Sequence, residues 1–199
     1  MIARRTLLAL AAAFAWPALA QPAPVKVALT TSEGRIVLEL YPDKAPVTVA
    51  NFLRYVDAKK YDGAEFYRAS RPAGATTNDY GILQGGIRDA AVTQFAAIAH
   101  ESTSKTGLTH TNGTISLGRF APGTAKSDFF ICVGDHPYLD ADPKAAGDNL
   151  GFAAFGKVVE GMAVVKRILA LPTNGKTSEP AMKGQMINPP VPIVSMKRL

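Results

Sequence analysis

The sequence predicts one domain in which antiparallel strands close into a β-barrel, and three observations point to it. Short stretches of alternating or wholly apolar residues recur along most of the chain, separated by connections rich in Gly, Thr, Pro and Asp. Only two segments carry a helical period. A composition of 47% hydrophobic and 19% charged residues suits a single packed core. A many-stranded antiparallel sheet with few helices to cover it removes its exposed edges by closing on itself.

The first twenty residues stand apart from that domain. "MIARRTLLALAAAFAWPALA" has a basic start at Arg4 and Arg5, an apolar run from Leu7 to Trp16 and small residues at Ala18 and Ala20. This is the pattern of a secretory signal, and the apolar run is too short to cross a bilayer. Residues 1–20 are therefore expected to be a signal peptide cleaved near Ala20, and residues 21–199 the domain, periplasmic or secreted and without a membrane span. Cleavage removes two arginines from the formal net charge of +6. The remaining basic excess is mild and unclustered, which argues against nucleic acid as a partner.

The elements follow in order. Val25, Val27 and Leu29 alternate on one strand, "SEG" turns the chain, and Ile36, Leu38 and Leu40 alternate on the return, which makes a hairpin. The period then changes. Val49, Phe52, Leu53 and Val56 fall at i, i+3, i+4 and i+7, one stripe of a helix with Pro46 in its first turn and Asp62-Gly63 closing the segment. Short strands are expected at Glu65 to Ser70, Ile82 to Gly85, Thr114 to Leu117, Phe129 to Val133 and Ala153 to Val158. "GMAVVKRILAL" reads as a second short helix with Met162, Val165, Ile168 and Leu169 on one side, and "VPIVSMKRL" as the last strand. Two long connections, "RPAGATTNDYG" and Asp89 to Asn112, interrupt this economy, and function concentrates on such loops.

Several chemistries are disfavoured by what the chain lacks. Its three histidines (His100, His110, His136) have no metal-ligand spacing, and the single cysteine, Cys132 in "FFICV", allows neither an internal disulfide nor a thiolate site. "HES" at 100–102 sets acid and hydroxyl beside a histidine, but no G-x-S-x-G elbow accompanies it, so local hydrogen bonding is the better account. "DADPKAAGDN" lacks the closing glutamate of a calcium loop. No phosphate-binding glycine fingerprint occurs. The expectation is a site without metal, cofactor or covalent intermediate.

Arg68, in "FYRAS", is the residue that then needs a purpose. Strand alternation puts Phe66 and Arg68 on one face, and a cation beside a phenylalanine is costly without partners. Gln84, in "ILQGG", both accepts and donates and would fix a guanidinium lying beside it. With Phe66, Ile82 and Phe130 these residues would line a small apolar pocket holding one oriented cation. The residues alone leave open the other account, in which the phenylalanines are core and Arg68 pairs with an acid.

Five motifs in order, "NFLRYVDAKKYDGAEFYR", "ILQGG", "GTISLGR", "SDFFICVGD" and "FAAFGKVVEGMAVVKRI", resemble the cyclophilin family of peptidyl-prolyl cis/trans isomerases, in its exported bacterial branch. The resemblance spans nearly the whole chain after the signal. It implies a closed eight-stranded antiparallel β-barrel capped by two α-helices, with a surface groove for proline-containing peptides. By motif position it makes Arg68 the catalytic arginine and Gln84 its support. Ile82 occupies a pocket position and Phe130 the floor of the proline pocket. Gly118 and Arg119 offer backbone groups to the peptide, and Leu139 forms a pocket wall. It implies unfolded exported proteins as partners, a monomer and no cofactor.

The chain also departs from the family pattern. Arg119 replaces a commoner asparagine, Asp128 stands where glutamine is frequent, and Phe152 stands where many members have histidine. Tyr138 falls near the place of a tryptophan that helps the family bind cyclosporin. The longer "RPAGATTNDYG" link puts Gly81 at the place of a pocket phenylalanine, with Tyr80 the candidate to replace it. These rim changes motivate a rival reading: a proline-peptide binder or chaperone that kept the groove without efficient turnover.

Overall fold

The structure, a computed structural model, describes residues 22–199, so the expected signal peptide lies outside the described residues. Eight strands run β1 (Val25–Thr31), β2 (Gly34–Leu40), β3 (Glu65–Ser70), β4 (Gly81–Gly86), β5 (Thr114–Leu117), β6 (Phe129–Val133), β7 (Ala153–Glu160) and β8 (Met186–Arg198). All neighbours are antiparallel, and the order β1-β2-β7-β5-β6-β4-β3-β8 closes where β8 pairs with β1. Two helices, α1 (Pro46–Asp57) and α3 (Met162–Leu169), pack on the barrel. A single turn, α2 (Thr103–Thr106), lies in the long loop. Four residues are too few to show a helical period, so α2 leaves no mark in the sequence pattern.

Side-chain alternation fills the barrel. Leu29, Ile36, Leu38 and Leu40 are wholly buried, as the alternation of the first hairpin requires. Phe52 and Tyr61 reach in from α1 and the turn after it. Phe52 meets Phe129 edge-on at 5.7 Å between ring centres and Phe155 at 5.2 Å. Val49, Leu53 and Val56 complete the buried stripe of α1. The helix stops earlier than Asp62-Gly63. Ala58 is its cap, and Lys59 turns left-handed at φ 53°. Its first turn is capped from a distance by Glu101, whose carboxylate accepts from Val47 N–H (3.1 Å) and Thr48 N–H (2.7 Å). That is what "HES" does here.

The last strand begins five residues before the expected Val191. Its early part lets Met186 pair with Arg68 on β3.

A bulge in β3 decides which way the site faces. Phe66 pairs with Gly85 and Arg68 with the next residue, Gln84, so Tyr67 is an extra residue on this strand. One inserted residue reverses alternation beyond it. Phe66 points into the barrel, where it meets Phe129 edge-on at 5.7 Å. Tyr67 and Arg68 point outward, and Ala69 returns to the interior. The expectation that Phe66 and Arg68 share a face therefore fails, because the period of two does not survive the bulge.

Candidate active site

On β6 the alternation divides a wholly apolar run between two environments. Phe129, Ile131 and Val133 face the barrel interior. Phe130 and Cys132 face outward and join Leu139, Ile82 and Phe152 in a separate apolar cluster. This cluster floors a groove of about 810 Å³ on the outside of the barrel. Phe152 meets the Phe130 ring edge-on at 5.4 Å.

Of the residues singled out in the sequence, Arg68, Ile82, Gln84, Gly118, Arg119, Asp128, Phe130, Tyr138, Leu139 and Phe152 all line this groove. Phe66 does not. It is wholly buried in the barrel, on the far side of the β3 bulge from Arg68. Tyr80 does not take a place in the groove wall either. Its ring lies 4.4 Å from that of His136, off to one side.

Arg68 has no carboxylate partner among the described residues; two amide oxygens hold it instead. Its Nη1 donates to Gln84 Oε1 at 2.8 Å and its Nε donates to Gln185 Oε1 at 2.8 Å. Burial draws its pKa below the ordinary arginine value, yet a guanidinium starts so high that it remains charged at physiological pH. The alternative of core phenylalanines and an acid-paired arginine is thus only half realised: Phe66 is core, but Arg68 is a neutral-partnered cation on an apolar groove.

Beyond Gln84 the network continues to Tyr67 and Asp128. Gln84 Nε2 donates to Tyr67 Oη at 2.6 Å, and the Tyr67 hydroxyl donates to Asp128 Oδ2 at 3.0 Å. The Tyr67 bond selects which end of the Gln84 amide faces Arg68: with the NH2 committed to Tyr67, the oxygen is left for the guanidinium. Burial pushes the Asp128 carboxyl up, against the Tyr67 hydrogen bond and the nearby Arg88 charge, and it pushes Tyr67 beyond the range of ordinary phenols. Arg88 lies over the Tyr67 ring, 4.6 Å from its centre. Tyr67 was not foreseen as part of the site, since nothing in "FYR" announces a bulge that turns it outward.

Arg119 works differently from a peptide-contacting side chain. Its guanidinium forms a two-pronged ion pair with Asp148 (2.7 and 2.8 Å), and its Nε donates to Gly151 C=O at 3.0 Å. It also sits 5.3 Å from the centre of the Phe152 ring. The side chain thereby straps the 140–151 loop, and Phe152 with it, against the groove edge. The pair holds the exposed Asp148 carboxyl down to about 2. The main-chain N–H and C=O of Arg119 make no hydrogen bond among the described residues, whereas Gly118 N–H already serves Asp128 C=O at 2.8 Å.

A serine, a histidine and an aspartate do come together beneath the floor. Asp140 Oδ1 lies 2.6 Å from His110 Nδ1, and His110 Nε2 lies 3.0 Å from Ser116 Oγ. Burial lowers the His110 pKa, so the imidazole is neutral, donating to Asp140 and accepting from Ser116. Ser116 and His110 are shut off from solvent, with the Phe130 ring stacked 5.8 Å from His110. A nucleophile that no substrate reaches is a support for the floor and not a hydrolytic centre. Cys132 is equally inert: it is fully buried, and its thiol is pushed up to about 12. Among the described residues no cluster of His, Cys, Asp or Glu could hold a metal ion, and no helix is long and apolar enough to cross a membrane.

Comparison with known proteins identifies the family. The family profile described as "Cyclophilin type peptidyl-prolyl cis-trans isomerase/CLD" matches residues 26–197. The chain is 34% identical over 172 residues to a peptidyl-prolyl cis-trans isomerase of Acinetobacter baylyi, covering 86% of this chain and 84% of that protein. It is 37% identical over 161 residues to peptidyl-prolyl cis-trans isomerase A of Dickeya dadantii, covering 79% of this chain and 77% of the relative. In three dimensions it resembles the crystal structure of a Cryptosporidium parvum cyclophilin-type isomerase, with a TM-score of 0.63 at 19% identity over 88% of this chain and 98% of that one. With the profile matched from the first strand to the last, the chain belongs to the cyclophilin-type peptidyl-prolyl cis-trans isomerases.

Proposed function

We propose that this protein accelerates cis/trans rotation of X-Pro bonds in exported proteins, with Arg68 donating a hydrogen bond to the proline nitrogen in the twisted transition state. The amide bond before proline has a rotation barrier of ~18–20 kcal/mol because the nitrogen lone pair is shared with the carbonyl. Halfway through rotation the nitrogen pyramidalises and recovers that lone pair. A donor aimed at it then stabilises the twisted state and not the planar one, which lowers the barrier instead of merely tightening binding. The observation that carries this reading is a guanidinium held by two amide oxygens, with no carboxylate partner among the described residues, at the edge of a groove floored by Phe130.

Phe130, Ile82, Leu139 and Phe152 supply an apolar seat for the proline ring, which must stay still while the other side of the bond turns. The main chain of Arg119 is available to hold the peptide in line. Water displaced from the groove strengthens the arginine contact, since the local dielectric falls. The signal-like residues 1–20 support a periplasmic or secreted protein, acting as a monomer on proline-containing stretches of unfolded exported chains.

The test is Arg68→Ala in a protease-coupled assay with a proline peptide. Loss of a few kcal/mol of transition-state stabilisation predicts a fall of about a hundredfold or more in kcat/KM, with circular dichroism unchanged. Wild-type turnover in that variant refutes the mechanism. A proline peptide bound by the wild-type protein without any cis/trans exchange broadening would instead identify a binder.

A further inference from the structure

The connection from α3 to β8, residues 170–185, lies outside the barrel and outside every motif that suggested the site. It nevertheless reaches the guanidinium. We propose that Gln185 is a positioning residue for Arg68, and that this connection is a working wall of the groove; the proposal rests on the reading of Arg68 as transition-state donor.

The geometry is that of a clamp. One hydrogen bond, from Nη1 to Gln84, leaves a flexible side chain a pivot about which to swing. The second, from Nε to Gln185 Oε1 at 2.8 Å, anchors another corner of the same rigid plane. Two anchors on different nitrogens determine both where the guanidinium sits and how it is tilted. Nη2 has no hydrogen-bond partner among the described residues, and it is the donor left for substrate. Fixing a donor before the reaction is what makes it effective, because no reorganisation is then needed at the barrier.

Gln185 is itself held. Its C=O accepts from Ala69 N–H on β3 at 2.9 Å, and its N–H donates to Met182 C=O at 3.0 Å. Its Nε2 donates to Ala181 C=O at 3.3 Å, which turns Oε1 toward the arginine. The connection is tied down at its base, where Gly175 N–H donates to Met186 C=O at 3.0 Å and Asn188 N–H to Pro172 C=O at 3.1 Å. From the same turn Met182 lines the groove.

The test compares Gln185→Met, which keeps length but removes the acceptor, with Gln185→Glu, which keeps an acceptor. The Met variant should lower kcat about tenfold, equivalent to about 1.4 kcal/mol, with KM within about twofold, as expected for one hydrogen bond to a charged group. The Glu variant keeps the anchor but adds a counter-charge, so its kcat should lie between that of the Met variant and wild type. In the wild-type protein the Arg68 Nε–H should give a slowly exchanging NMR signal, and that readout does not depend on how well the variants fold. Wild-type kcat in Gln185→Met, or an Arg68 Nε–H exchanging as fast as in a free arginine, overturns the proposal. The two readings fail separately. Wild-type turnover in Arg68→Ala sinks the mechanism itself, whereas a slow Arg68→Ala beside an unimpaired Gln185→Met sinks only the role of Gln185.

Discussion

Replacing Tyr67 by Phe removes one oxygen atom and tests the relay behind the arginine. The phenyl ring keeps its place under Arg88 and its burial, so only the hydroxyl is lost. That hydroxyl accepts from Gln84 Nε2 at 2.6 Å and donates to the Asp128 carboxylate at 3.0 Å. A hydrogen bond to a charged group contributes roughly 1.5–3 kcal/mol and a neutral one roughly 0.5–1.5, and the buried Gln84 Nε2 would lose its partner while the half-buried Asp128 loses a donor. The expected loss is thus about 3 kcal/mol. For a domain of this size each kcal/mol lowers the melting temperature by about 2–4 °C, which puts the shift near 6–12 °C. The assay is differential scanning calorimetry beside the coupled isomerase assay. Without Tyr67, Gln84 is free to flip and present its NH2 to Arg68, so kcat/KM should fall several-fold even where the variant is fully folded. A melting temperature within 1 °C of wild type would refute the reasoning, because the hydroxyl would then not be joining these groups.

Two further outcomes follow from buried groups. The Asp128 carboxyl is pushed up by burial, so its folded pKa exceeds the unfolded value of about 3.9. A raised acid pKa favours folding below the unfolded value and loses that advantage as pH rises through the folded one. Asp128→Asn should therefore raise the melting temperature at pH 7, with the gain vanishing at pH 3.5; a lower melting temperature at pH 7 would count against it. The Cys132 thiol, buried and held near 12, should resist a disulfide-exchange reagent in the native protein and react fully once guanidinium unfolds it. Rapid native labelling would show that the groove floor opens.

How much was legible in the sequence depends on how local each cause is. The hairpin of Val25 to Leu40, the stripe Val49-Phe52-Leu53-Val56 and the strands of "TISL" and "FFICV" could be read directly, because alternation and the 3.6-residue period are properties of neighbours along the chain. The closed barrel followed from many strands with few helices to cover their edges. The groove residues came from motif order, and of the candidates singled out only Phe66 and Tyr80 do not line the groove. Phe66 stays inside because a single bulged residue flips the face of everything after it, and Tyr80 packs on His136 instead.

Other features had no signal at all. Glu101 caps a helix that starts more than fifty residues earlier, and Gln185 reaches an arginine 117 residues before it. Which of two faces each residue of "FFICV" presents could not be told from a run that is apolar throughout. It took the neighbours of β6 to send Phe129 inward and Phe130 out.

The amino-acid order by itself determined the strands, the two packing helices, the mild charge and the placing of one arginine among groove-forming motifs, since each rests on residue chemistry or short-range periodicity. Tertiary structure alone decided that Arg68 faces out while Phe66 faces in, that amide oxygens and not a carboxylate hold the guanidinium, and that a C-terminal connection completes the clamp. Those are contacts between segments far apart in the chain, and only closure of the barrel brings them within hydrogen-bonding distance.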